Sequence, residues 1–206
     1  MKFPFAGMNQ KAETFFFSRK FDMRQIALLR GINVGGKNRI KMTDLKSAFE
    51  RRGFQNVVTY INSGNVLFDS ERDETAAKAA CEKLIAEDFG LDIPVCAISA
   101  AELIKTLAHA PEWWNKTPDA RHDAFFVIPP MTAEALYAHV GAVKEEYEKA
   151  DCFGRVIFWS AAMTTFSRTR WSKISKDKAM YRAITIRNAN TALKLAELVK
   201  TYGGRM

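Results

Sequence analysis

The patterned part of the chain begins with QIALLRGI (residues 25–32), an apolar run closed by a glycine, which predicts a buried first strand. In MTDLKSAFERRG, Leu45, Ala48 and Phe49 fall on one helical face, Thr43 is the N-cap candidate and Gly53 the stop. NVVTYI and NVLF, separated by NSG, predict a hairpin, because Asn, Ser and Gly tolerate the positive φ that such loops need. From Asp73 to Phe89, Ala77, Ala80, Cys81, Leu84 and Ile85 recur at helical spacing before Gly90. DIPVCAI is then a strand, whose Pro94 favours an edge or a strand start.

This order, β-α-β-β-α-β, is the split βαβ or ferredoxin-like motif. A helix follows from Ser99, with a capping box made by Ser99 and Glu102, to about Ala108. HAPEWWNKTPDAR (109–121), with its prolines, reads as a linker. The pattern then repeats: DAFFVI strand, Thr132–Val140 helix, KEEYEK strand, RVIFWS strand, Thr169–Tyr181 helix, AITIRN strand, and a last helix from Thr191 to Tyr202. The expected fold is therefore α+β: two ferredoxin-like (βαββαβ) halves, each followed by an extra helix. KEEYEK carries this duplication, since as a helix it would leave the second half incomplete. The expected division is 23–110 and 122–206. Residues 1–22 have no apolar core segment or small-residue cleavage site of a signal peptide and are expected to be a flexible extension.

Composition sharpens the picture in two places. Cys81, Cys96 and Cys152 lie far apart without a Cys-x-x-Cys pair, which favours small core residues in a reducing, cytoplasmic compartment. No apolar stretch reaches membrane-spanning length, so no membrane partner is expected. The net charge is +8, and between Ser160 and Asn188 seven cations face one acid, Asp177. Such a field attracts phosphates or acidic partners.

Chemistry concentrates in RGINVGGKN (30–38). Gly31, Gly36 and Lys37 match G-x-x-x-x-G-K of a P-loop, but Asn38 stands where the magnesium-binding Ser or Thr should be. Two readings remain: a tight turn after a strand, or an anion nest of backbone N–H groups with Arg30, Asn33, Gly35, Gly36 and Lys37. The hairpin loop adds Asn62, Ser63 and Asn65, short hydrogen-bonding side chains beside a glycine that would let a ligand approach. Arg170 and Lys173, one turn apart beside Trp171, could grip phosphate oxygens, and Arg187 with Asn188 ends a strand. His109, His122 and His139 have no metal spacing and no legible nucleophile partner.

LLRGINVGGKNRIKM, TYINSGNVLF and the C-terminal TIRNANT together resemble the bacterial family called domain of unknown function 1697, over Arg24 to Val199. The chain departs from that pattern at Asn62, where glutamine is common, and at Ala189, where tryptophan is. The resemblance implies an α+β fold of ferredoxin-like modules and no established activity. The functional expectation is an anionic ligand, a phosphorylated small molecule or a nucleic-acid backbone, in a basic cleft lined by the two loops. The alternative is an enzyme acting on a small phosphate- or carboxylate-containing substrate, with its catalytic residues unidentified. No cofactor or metal is called for.

Overall fold

The structure, a computed structural model, describes residues 23–201; the expected N-terminal extension and the last residue of the expected C-terminal helix lie outside them. The first half runs β1 (Arg24–Leu29), α1 (Met42–Arg51), β2 (Gln55–Tyr60), β3 (Asn65–Asp69), α2 (Glu74–Phe89) and β4 (Val95–Ser99), with α3 (Ala100–Ala108) after it. The second runs β5 (Ala120–Val127), α4 (Ala133–Val140), β6 (Glu148–Phe153), β7 (Val156–Ala162), two 3-10 segments, α5 (Lys178–Arg182), β8 (Ile184–Asn188) and α6 (Ala189–Thr201). The sheets have strand orders β2-β3-β1-β4 and β6-β7-β5-β8, and every pairing is antiparallel. Both halves therefore have ferredoxin-like topology.

Alternation along the strands divides the apolar residues among three cores. One face of the first sheet sends Ala27, Leu29, Val66 and Phe68 against α1 and α2. One face of the second sends Phe125, Val127, Ile157 and Trp159 against α4 and the 3-10 segments. The remaining faces, with Ile26, Leu28 and Leu67 from one sheet and Phe126, Val156 and Phe158 from the other, share a single core with α3 and α6. The extra helix of each half thus joins the two sheets. A central strand buried on both sides needs a continuous apolar run rather than an alternating one, as Ile26–Leu29 of β1 supply; Arg24 and Gln25, also buried, are paired with Asp69 and the Arg72 carbonyl.

Three expectations need correction. Helix α1 starts at Met42 with Lys41 as its N-cap, so Thr43 lies inside the helix. The strand expected at KEEYEK begins instead at Glu148, because Lys144–Tyr147 make a turn in which the N–H groups of Tyr147 and Glu148 both donate to the Lys144 carbonyl. The helix expected from Thr169 to Tyr181 is instead a 3-10 segment, Trp171–Lys176, followed by the short α5, and a further 3-10 segment, Met163–Arg168, precedes it. Local hydroxyls compete for the backbone there: Thr169 Oγ1 donates to the Phe166 carbonyl at 2.7 Å and accepts from Ser172 N at 3.2 Å. Buried Glu148 also takes the N–H groups of Arg170 (2.7 Å) and Trp171 (3.1 Å) and the Trp159 indole N–H (2.9 Å). Glu148 is thereby an internal anion at the start of the second 3-10 segment.

Candidate functional site

The connection from β1 to α1 is a miniature hairpin. Lys37 N donates to the Val34 carbonyl at 3.1 Å and Asn33 N to the Asn38 carbonyl at 3.2 Å. Gly35 and Gly36 between them have φ of +59° and +75°, as a two-residue turn with both centres left-handed requires. Asn33 and Asn38, also at positive φ, brace its base. Asn33 Nδ2 donates to the carbonyls of Ile40 (2.8 Å) and Asn62 (3.0 Å) while its Oδ1 accepts from Ile40 N, and Asn38 Nδ2 donates to the Gly31 carbonyl. The asparagine side chains are spent on the loop itself, and Asn33 ties it to the β2–β3 hairpin.

Packing completes the tie. A Cβ on Gly64 would stand 2.8 Å from Ile32 and from Leu29 Cβ, and the residue has φ of +77°. The glycine of INSGN therefore lets the two loops meet, rather than admitting a ligand. Leu29 N donates to the Gly64 carbonyl at 2.8 Å. Asn65, fully buried, donates to the Tyr60 carbonyl and Ser63 Oγ. Ile61 before them sits at φ +48°, costly for a β-branched residue, and is nearly half exposed.

Arg187, from β8 of the other half, closes this arrangement. It is 5% exposed. Its Nε donates to Asn65 Oδ1, Nη1 to Thr185 Oγ1 and the Ile186 carbonyl (both 2.8 Å), and Nη2 to the carbonyls of Leu29 (2.9 Å), Ser63 (3.0 Å) and Gly64 (3.1 Å). Every N–H of the guanidinium is used, all on neutral acceptors. Burial pushes its pKa down to about 10. Arg30 is a second strut between the halves: Nε donates to the Tyr181 carbonyl at 2.9 Å and the guanidinium lies 4.5 Å from the Tyr181 ring centroid. Burial lowers its pKa as well.

What remains open is a groove of about 930 Å³ between the two loops and the start of α1, reached by Asn33, Gly36, Arg39, Lys41 and Asn62. Met42, Thr43 and Asp44, the first turn of α1, line it too. No side chain caps that turn, and the N-cap itself is a lysine. The starts of α2, α3, α4 and α5 are instead capped by the side chains of Asp73, Ser99, Thr132 and Asp177. Unsatisfied N–H groups at a helix N-terminus carry partial positive charge, here augmented by exposed Arg39 and Lys41 and offset in part by exposed Asp44.

The expected site residues thus separate. Asn33, Gly36 and Asn62 line the groove, and Gly35 and Lys37 are exposed on the neighbouring turn. Ser63, Asn65, Arg187 and Arg30 are engaged in joining loops and halves. Arg170, the N-cap of the second 3-10 segment, and Lys173 within it lie beyond the groove lining. Asn188 lines another pocket, and its Oδ1 accepts from Thr191 N at 2.8 Å at the start of α6. Arg39 and Lys41 were not among the expected residues. The sign available in the sequence was RIK ahead of the helix, with a cation in place of the usual Ser, Thr, Asp or Asn cap.

Among the described residues no group of three or more His, Cys, Asp or Glu is placed to hold a metal, and no helix is long and apolar enough to cross a membrane. Cys81 and Cys96 are buried, and burial raises both thiol pKa values, that of Cys96 to about 11.

The family described as "Protein of unknown function (DUF1697)" matches residues 23–158. Among solved structures, a conserved bacterial protein, SP0830 from Streptococcus pneumoniae, is 29% identical, with a TM-score of 0.78 over 87% of this chain and 99% of that one. No curated protein matches the chain. With two ferredoxin-like halves, a glycine hairpin clasped by INSGN, and that match across most of its length, this chain belongs to the DUF1697 family.

Proposed function

We propose that the groove at the start of α1 binds an anionic ligand bearing a phosphate or carboxylate. The observation that carries this reading is the uncapped first turn of α1 beside Lys41 and Arg39. Backbone N–H groups and flanking cations form the arrangement that helix N-termini use for phosphate. The amides of Asn33 and Asn62, whose loops are fixed to each other, frame the opposite wall. Binding is preferred to catalysis because the hydrogen bonds of Arg30, Asn33 and Asn65 run to backbone carbonyls or N–H groups, a serine hydroxyl and Arg187, and Asp44, the carboxylate in the groove lining, accepts from Thr43 Oγ1 rather than from any of them.

Thermal unfolding of the full chain with inorganic phosphate, pyrophosphate and a short single-stranded oligonucleotide, at low and moderate salt, tests the reading. A ligand at 100 times its dissociation constant stabilises by about 2.7 kcal/mol. Stabilisation by pyrophosphate that persists at moderate salt, and that Arg39→Ala reduces about tenfold in affinity, is expected for a defined site. Stabilisation by the oligonucleotide alone, vanishing as salt rises, assigns the groove to nucleic-acid backbone. No stabilisation by any of the three, or equal stabilisation of the Arg39→Ala protein, contradicts the assignment.

A further inference from the structure

The second 3-10 segment arranges its side chains as the α-helix expected over the same residues would not. Its N–H groups bond three residues back, Lys173 N to the Arg170 carbonyl and Asp177 N to the Ile174 carbonyl, both at 3.1 Å. With about three residues per turn, side chains three apart eclipse one another. Trp171 and Ile174 form one such row and are buried, Trp171 against the rings of Phe125 and Tyr137 at centroid distances of 5.3 and 5.7 Å. Arg170, Lys173 and Lys176 form the next row, and all three are exposed. At about 2.0 Å of rise per residue they stand about 6 Å apart in a straight line. In an α-helix the same three would wind around the axis by about 60° per step.

The row is fixed at its base and uncompensated at its tips. Glu148 holds its start through the N–H groups of Arg170 and Trp171, and the Arg170 guanidinium rests on Gly141, with Nη1 3.1 Å from where a Cβ would stand. The carboxylates around it are committed elsewhere: Glu148 is buried on those N–H groups, and Asp177 pairs with His139 at 2.9 Å and caps α5. Exposed Glu145 and Glu146, on the turn before Glu148, form no ion pair with the row, and neither does any other acid among the described residues. Lys144 and Arg168 flank one end, Lys144 Nζ donating to the Arg168 carbonyl at 3.2 Å, and Lys178 follows at the other; these three are also exposed and outside every ion pair.

We infer that this row is a docking face for the phosphate backbone of a nucleic acid. Evenly spaced cations in line are complementary to a linear polyanion with evenly spaced charges, whereas a small anion engages only one or two of them. The contact goes to phosphates and not to bases, because the neighbouring rings are already covered: the Arg168 guanidinium lies 5.6 Å from the Tyr147 centroid and that of Arg121 5.2 Å from the Phe166 centroid. Phosphate contacts of this kind position a strand without reading its sequence. The face shares no residue with the α1 groove and does not rest on it.

The test is fluorescence anisotropy of short labelled DNA duplexes titrated with the full chain between about 50 and about 200 mM salt. The logarithm of the binding constant is expected to fall with the logarithm of salt at a slope of about −3 to −5, at about −0.9 for each phosphate neutralised, and two duplexes of unrelated sequence are expected to bind alike. Combining Arg170→Gln, Lys173→Gln and Lys176→Gln is expected to weaken binding at least about tenfold at the lowest salt and to flatten the slope by about 2 to 3. Lys173→Gln with Lys176→Gln, which leaves the Arg170 contact with Gly141 in place, is expected to flatten it by about 2. A control that removes the same charge elsewhere, Lys105→Gln, Lys116→Gln and Lys200→Gln together, is expected to lose much less. No binding at the lowest salt, an unchanged slope in the row variants, or an equal loss in the control overturns the proposal, as does binding of phosphatidylserine vesicles with the same dependence on the row. The row variants are expected to keep the pyrophosphate response of the α1 groove and Arg39→Ala to keep the duplex slope, so that the two sites fail or stand separately.

Discussion

The links from β1 to α1 and from β5 to α4 occupy the same position in the two ferredoxin-like halves, and they treat the helix that follows in opposite ways. Before α4 the chain is Pro129-Pro130-Met131-Thr132, and Thr132 Oγ1 accepts the Ala135 N–H at 3.1 Å. Before α1 it is a glycine hairpin followed by Arg39, Ile40 and Lys41, and no side chain accepts from the first turn. The second half goes further and supplies Glu148 as a built-in carboxylate for the N–H groups of Arg170 and Trp171. One topology therefore carries a β5–α4 link whose helix start is capped by a side chain and a β1–α1 link that leaves its helix start facing an open groove. Such a departure from the helix-capping rule is expected at functional sites, where stability is given up for binding.

The comparison breaks most severely at Arg187, the second-half cation on which the first-half loops depend. Arg187→Met leaves the Ser63 carbonyl and Asn65 Oδ1 without their donor, while the Gly64 carbonyl keeps Leu29 N and the Leu29 carbonyl keeps Thr185 Oγ1, and should cost about 4 kcal/mol, at about 1–3 kcal/mol per orphaned group. Chemical unfolding in urea measures this; a loss under about 1 kcal/mol would mean that the loops hold together without it. Gly64→Ala comes next, at about 3 kcal/mol, from left-handed backbone and from contact with Leu29 Cβ and Ile32. Full stability in that variant would refute the clasp between the loops.

How much of this was legible in the sequence depends on the range of the interaction. The order of strands, the helix from Asp73 to Phe89 with Gly90 after it, and the Ser99 and Thr132 caps follow from local periodicity and local hydrogen bonds, and the structure has them. Arg187 reads in the sequence as a ligand-binding residue because four of its acceptors lie more than 120 residues away. Glu148 was hidden for the same reason: a glutamate in KEEYEK carries no sign of the Trp171 N–H that it accepts. Asn33 and Asn38 of RGINVGGKN brace the turn, and Asn33 also lines the groove; turn-bracing and ligand-facing asparagines look alike in a sequence until their partners are known. Lys41 carries no positive signature in the sequence, because an uncapped helix start is marked only by the lack of a capping side chain.

Smaller effects refine the contrast. Asn33→Ala removes the donor to the Asn62 carbonyl and the partners of Ile40 and should cost about 2 kcal/mol while loosening the groove wall. Anion affinity measured in parallel with urea stability should fall with it; unchanged affinity would remove Asn33 from the site. The smallest effect is on acid stability. The N–H of Met180 and the hydrogen bond from His139 hold the Asp177 carboxyl below its ordinary 3.8. Between the folded value and 3.8 the unfolded chain binds more protons, so this contribution is present above 3.8 and is lost as pH falls through the folded value. Asp177→Asn should flatten that part of the stability–pH curve slightly; an identical curve would show that the cap does not respond to charge.

The most direct measurement combines stability and binding in Lys41→Ser. A serine at this N-cap supplies the side-chain acceptor that α4 already has in Thr132, and should raise stability in the absence of ligand by about 1 kcal/mol. The same substitution removes a cation and occupies a backbone donor, so the stabilisation by pyrophosphate seen in the wild-type chain should fall or disappear. A variant that is more stable when free and no longer responds to pyrophosphate is the predicted result. A variant that keeps the full pyrophosphate response would show that the anion sits elsewhere and that the open start of α1 is not a binding site.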